Sequence, residues 1–108
     1  MVKKVIEDFK IEYLPVMDEN GKVDENLMPG LSDKQIKGLY ELMILMRTFD
    51  DKGFSLQRQG RIATFAEIKG QEASNIGVAM ALDKNDWLVQ AFRENAATPF
   101  LGVPMENI

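Results

Sequence analysis

The sequence predicts an α/β fold: an extended arm with a hairpin, then a long helix, then a helix–strand–helix run. Three observations predict it. Phe9, Ile11 and Tyr13 alternate with Lys10 and Glu12, the period-2 signature of a strand. Apolar residues from Ile36 onward recur at helical spacing almost to Gln59. The continuous run Trp87-Leu88-Val89-Gln90-Ala91-Phe92 follows a small-residue helix and reads as a buried strand.

Residues 1–31 form the arm and 32–108 the remainder. Within the arm, Val16-Met17 and Val23 flank an Asn20-Gly21 turn, a hairpin signal. Such a hairpin is too small to stand alone, so it is expected to lie on another surface. Pro29-Gly30 closes the arm.

Ser32 and Gln35 have the spacing of a capping box, in which each side chain satisfies the other's free backbone N–H. Ile36, Leu39, Tyr40, Met43 and Met46 make an apolar stripe, widened by Leu42, Leu45 and Phe49. Gly60 is the expected stop. A helix over 33–59 would be about 40 Å long and more apolar than so short a chain readily covers. Gly53 is its weak point and marks a bend or a close approach.

Ile62–Phe65 reads as a short strand or irregular segment. Gly70-Gln71-Glu72 opens a second helix that runs to about Leu82, with an acid at its positive end. Ala73, Gly77 and Ala81 give that helix one smooth face. Ala96–Gly102 reads as a short helix, with Pro99 near its first turn. Val103–Ile108 reads as the start of another, with Pro104 first.

Composition excludes several classes of function. Thirteen Lys and Arg against seventeen Asp and Glu leave a net charge of −4, which argues against a general nucleic-acid or anionic-membrane binder. With no cysteine, disulfides, thiolate nucleophiles and zinc–sulfur sites are absent. With no histidine, a Ser-His-Asp arrangement cannot form within the chain. The first residues do not make a secretory signal and no run reaches membrane-spanning length, so a soluble cytoplasmic protein is expected.

Arg93 is the leading candidate for chemistry. A guanidinium just after a strand can hold a phosphate bidentately and does not titrate near neutrality. The alternative is a structural ion pair to Asp86 or Glu94. Gly70-Gln71-Glu72 presents free N–H groups suited to an anion, but Glu72 opposes one there, and an ordinary helix start is preferred. Glu67 would serve as a general base only if buried, and a lone loop glutamate is ordinarily solvated. Lys69 reads as a surface residue. Phe54, Phe65, Trp87 and Phe92 read as core rather than a cofactor box, and the seven methionines as gap fillers. The usual nucleotide and hydrolase motifs are missing.

The runs "LSDKQIKGLYELMILMRTFDDKGFSLQRQGRIATF", "GQEAS", "DWLVQAFREN" and "FLGVP" resemble the alpha subunits of the thiamine-diphosphate-dependent 2-oxo acid dehydrogenases. The likeness runs from about Tyr13 to the end and is nearest to pyruvate dehydrogenases of Gram-positive-type bacteria. Branched-chain 2-oxo acid and acetoin dehydrogenases are the alternatives. The resemblance implies that the chain is the N-terminal portion of a thiamine-diphosphate-binding fold, with residues 32–108 at the start of its parallel sheet. It implies a heterotetramer of two alpha and two beta subunits and a lipoyl acyltransferase partner. Thiamine diphosphate would lie between alpha and beta, its diphosphate held through Mg2+. The family's aromatic–Arg pair that contacts the diphosphate falls on Phe92-Arg93.

Three departures stand out. Phe92 replaces the family's usual tyrosine. Ala66 stands where many members have a histidine. The metal-holding Gly-Asp-Gly…Asn signature is absent and is expected downstream of Ile108. On that reading the 108-residue chain alone is inactive. The competing reading is a truncated product that acts only as a subunit-interaction module.

Overall fold

The computed structural model describes residues 3–108. These divide into two units, one ending at Leu31 and one covering Ser32–Ile108.

In the first unit, residues 3–15 form neither helix nor strand. Phe9, Ile11 and Tyr13 are exposed. The alternation is present, but nothing in the unit offers backbone partners, and an unpaired strand has no ladder to stabilise it. The expected hairpin is reduced to one antiparallel bridge, Met17 to Val23. Its turn is held by Asp18, whose Oδ1 accepts from the Asn20 and Lys22 N–H groups at 2.9 and 2.8 Å. Gly21 takes a positive φ of 80°, which a side chain would disfavour.

The second unit is built on helix α1, Asp33–Arg58. Its start is the expected capping box: Gln35 N–H donates to Ser32 Oγ, and Ser32 N–H to Gln35 Oε1 at 3.0 Å. Its end is a Schellman motif, with Gly60 N–H on Gln57 O and Arg61 N–H on Leu56 O. Gly60, at φ 68°, stops the helix. Helix α2, Glu72–Ala81, packs against α1 and against a 3-10 turn at Asn95–Ala97. A second 3-10 turn, Met105–Asn107, follows Pro104. The segments expected as short helices near 96 and 104 are therefore single turns.

The core contains Met46 of α1, Ile68 of the connecting loop, Ile76 of α2, and Ala96. Leu39, Leu42, Met43 and Phe49 pack around it. It is small, and Ile36, Tyr40, Ile44 and Leu45 on α1 stay exposed. Gly53 is a close approach rather than a bend. The Phe65 ring lies where its Cβ would be, and the same ring meets Phe49 at 6.2 Å.

The clearest difference from expectation concerns residues 87–92. They form no strand, and no β-strand occurs among the described residues. Trp87 and Val89 are 90% and 89% exposed, and Phe92 is also exposed, so Trp87 and Phe92 are not core residues here. Phe54 is exposed too, lying under Arg58 at 5.8 Å. The reason is one of partners: the run has the composition of a strand buried on both faces, and this unit supplies no neighbouring strand to pair with it.

Candidate functional site

Arg93 sits at a sharp turn made by the residue after it. A tight turn at Asp83–Asp86, where Asp83 N–H donates to Asp86 Oδ2 at 2.8 Å, redirects the chain after α2. The chain then reaches Glu94, whose Oε2 accepts from Ala91 N–H at 2.8 Å and from Arg93 N–H at 3.2 Å. Gln90 Nε2 donates to Glu94 O at 3.2 Å. This wraps the backbone around one carboxylate and leaves Phe92 and Arg93 exposed.

The Arg93 guanidinium enters no ion pair among the described residues. The ion pairs considered for it are not formed: Asp86 is engaged by Asp83 N–H, and Glu94 by backbone donors. An exposed, unpaired guanidinium keeps its full fork of donors for a bidentate oxyanion.

The Gly70-Gln71-Glu72 turn carries an anion already, and it is the chain's own. Glu72 is buried. Its Oε2 accepts from Gly70 N–H at 3.0 Å and its Oε1 from Arg47 Nε. The Arg47 hydrogen bond, with help from backbone N–H groups, holds the Glu72 carboxyl below its ordinary range, and the same bond raises Arg47. The free N–H groups at the start of α2 are thus partly answered from within, leaving little for an external anion. Gly70 takes φ 89°.

The loop between the helices is pinned to α1. Ile68 N–H donates to Asp50 Oδ1 at 2.8 Å, and Phe65 seats on Gly53. Lys69 pairs with Asp51 at 2.8 Å in an exposed bridge, as a surface residue should. Glu67 and Ala66 are half-buried.

Asp50 is wholly buried, and its Oδ2 has no partner. Asp50→Ala should cost about 1–3 kcal/mol by leaving the buried Ile68 N–H unanswered. Asp50→Asn keeps an acceptor and should cost less, as urea denaturation of the two variants would show. Equal losses would remove the assigned role.

Two of these arrangements were not anticipated. Asp50 falls with Met46 and Gly53 on the buried stripe of α1, so a lone acid on an apolar stripe was the available signal. The Arg47–Glu72 pair has no local signal, because its members are far apart in sequence. No cluster of three or more acidic side chains suited to a metal ion is found among the described residues. No helix among them is long and apolar enough to cross a membrane.

Comparison with known proteins adds a family. Residues 40–108 match the model of the dehydrogenase E1 component. The chain is 38% identical over 105 residues to the pyruvate dehydrogenase E1 component subunit alpha of Staphylococcus aureus strain Mu50. That match covers 94% of this chain and 28% of the relative. The subunit of the same name from Staphylococcus epidermidis strain RP62A is 36% identical over 99 residues, covering 91% of this chain and 27% of that relative. The chain thus spans little more than a quarter of the length of these relatives. No solved structure matches it.

Proposed function

This chain belongs to the dehydrogenase E1 component family, and from that membership we propose that it supplies part of a pyruvate dehydrogenase alpha subunit. The reaction is decarboxylation of pyruvate with transfer of the acetyl group to a lipoyl group, in partnership with a beta subunit and a lipoyl acyltransferase. When bound, thiamine diphosphate supplies the carbanion-stabilising chemistry. The residues here bear only on its diphosphate end.

The observation that carries this reading is the Arg93 turn. Glu94 spends one carboxylate oxygen on backbone N–H groups, so the Arg93 guanidinium is exposed and enters no ion pair among the described residues. That suits a phosphoryl oxyanion. Phe92 beside it offers only a ring, without the hydroxyl of the family's tyrosine. The described residues show no acidic cluster to hold Mg2+, so no role in metal binding is assigned to them.

In the assembled enzyme carrying this sequence, Arg93→Ala should weaken thiamine diphosphate binding about 10- to 150-fold. That corresponds to roughly 1.5–3 kcal/mol for a charge-assisted hydrogen bond. Calorimetric titration would measure it, and unchanged affinity would remove Arg93 from the site.

We further propose that residues 87–92 become a strand of a parallel sheet, in an α/β thiamine-diphosphate-binding fold, when neighbouring strands are present. The N–H groups of Trp87, Leu88, Val89 and Gln90 support this, since they have no partner among the described residues. The same exposure favours a second reading, in which the chain acts only as a subunit-interaction module. Co-expression with the beta subunit separates the two: a stable complex that binds no thiamine diphosphate favours the second.

A further inference from the structure

Residues 87–93 carry the proposed diphosphate ligand, yet one residue alone ties them to the fold. Among the described residues, each hydrogen bond they make ends on Glu94. Its Oε2 accepts from the Ala91 and Arg93 N–H groups at 2.8 and 3.2 Å, and its backbone carbonyl accepts from Gln90 Nε2 at 3.2 Å. Phe92 and Arg93 lie in the bend this makes. The Phe92 N–H, between the two bonded amides, has no partner among the described residues. Glu94 is itself anchored on the other side. The same carbonyl accepts from Ala97 N–H at 3.0 Å and so closes the turn Asn95–Ala97. Ala96 and Ala97 of that turn are buried, Ala96 in the core with Met46, Ile68 and Ile76. Glu94 thus links an exposed segment to the core.

We propose that Glu94 is a positioning residue for diphosphate binding and acts through Arg93. This rests on the reading of Arg93 given above and adds what fixes the guanidinium in place. A long side chain on a free segment loses much conformational freedom when it binds, and holding its backbone beforehand removes part of that cost. Glu94 makes no ion pair with Arg93 among the described residues, so it does not compete for the guanidinium. Its negative charge gains nothing from a diphosphate, which it would repel. What the bend uses is an acceptor oxygen, and an amide oxygen is one as well. The N–H groups free for sheet pairing, Trp87 to Gln90, precede Ala91 and are untouched by these bonds.

Two measurements test it. The first is amide hydrogen exchange by NMR on the 108-residue chain, without cofactor. In Glu94→Ala the Ala91 and Arg93 amides should exchange about 3- to 10-fold faster than in the parent, after correction for intrinsic rates. The Phe92 amide, unpaired already, should keep its rate. Glu94→Gln keeps an acceptor and should hold both amides close to the parent rates. Neither substitution removes the Ala97 bond, because a backbone carbonyl makes it. The second is calorimetric titration of thiamine diphosphate into the assembled enzyme carrying this sequence. Glu94→Ala should weaken binding about 3- to 10-fold, and Glu94→Gln should recover most of that loss. In an Arg93→Ala background, Glu94→Ala should cost little more, a non-additivity that independent damage to the fold would not produce. Exchange rates alike in parent and Glu94→Ala, Glu94→Gln binding no better than Glu94→Ala, or full additivity with Arg93→Ala would each overturn the positioning role while leaving Arg93 in the site. Unchanged affinity in Arg93→Ala itself would remove both.

Discussion

Gly53→Ala will destabilise the unit that holds α1, whereas Gly38→Ala in the same helix will stabilise it. Both positions are glycines in a helix interior, where alanine ordinarily gains about 1 kcal/mol. Their surroundings set the sign. A Cβ on Gly38 meets nothing within 4 Å, so the propensity gain is realised in full. A Cβ on Gly53 would lie within 2.8 Å of three Phe65 ring carbons. That ring cannot swing freely, because Phe49 flanks it and the Asp50–Ile68 bond pins the loop that carries it. Overpacking of this kind costs about 1–3 kcal/mol, enough to cancel the propensity gain and reverse it. Gly53→Val, with more volume and less helix propensity, should lose on the order of 3 kcal/mol. Phe65→Leu introduced beside Gly53→Val should recover part of that loss, a coupling that a double-mutant cycle reads directly. Urea midpoints at constant slope give all of these values. Similar shifts at Gly38 and Gly53 would show that the Phe65 contact does not constrain the helix.

The Gly53 contrast also marks what was legible in the sequence. Several features set by neighbours a few residues apart could be read: the Ser32–Gln35 box, the stripe through Met46, the Gly60 stop, and the start of α2 at Glu72. Gly53 was readable as a special position, but its reason was not, because Phe65 reaches it only after the chain reverses. Asp50 and the Arg47–Glu72 pair belong to the same class, since the first joins α1 to the loop at Ile68 and the second joins it to the start of α2. The run at 87–92 forms no strand among the described residues for a different reason. Its composition reports the surroundings it is suited to, two neighbouring strands and a layer on each face, and the described residues do not contain them. At the candidate site, position 93 was singled out from residue type, its place after an apolar run, and the resemblance to a family whose aromatic–Arg pair falls there. The way Glu94 folds the turn beneath it, leaving the guanidinium unpaired, depends on hydrogen-bond geometry that residue order does not specify.

The Arg47–Glu72 pair predicts how the unit responds to acid. Arg47, with backbone donors, holds the Glu72 carboxyl below its ordinary value of 4.5. A group depressed in the folded state takes up its proton later than in the unfolded chain. Its stabilisation is therefore fully present above about pH 4.5 and is lost as pH falls through the depressed folded value. Arg47 is raised from an already high value, so it stays charged throughout and the loss belongs to the carboxylate. The urea midpoint of the parent chain should fall on acidification, with other carboxylates adding their own shares. Glu72→Gln should remove only the Glu72 share, so the parent and variant curves should converge toward low pH. Arg47→Ala should lower the midpoint most near neutrality, where it strands a buried charge with Gly70 N–H as its remaining partner outside α2. Its effect should shrink once Glu72 is protonated. The helix content of α2, followed by circular dichroism along the same titration, should decline with the midpoint, because this carboxylate also serves the first free N–H groups of that helix. Parent and Glu72→Gln curves that stay parallel from neutral to acid pH would mean that the pair contributes nothing that depends on its charge.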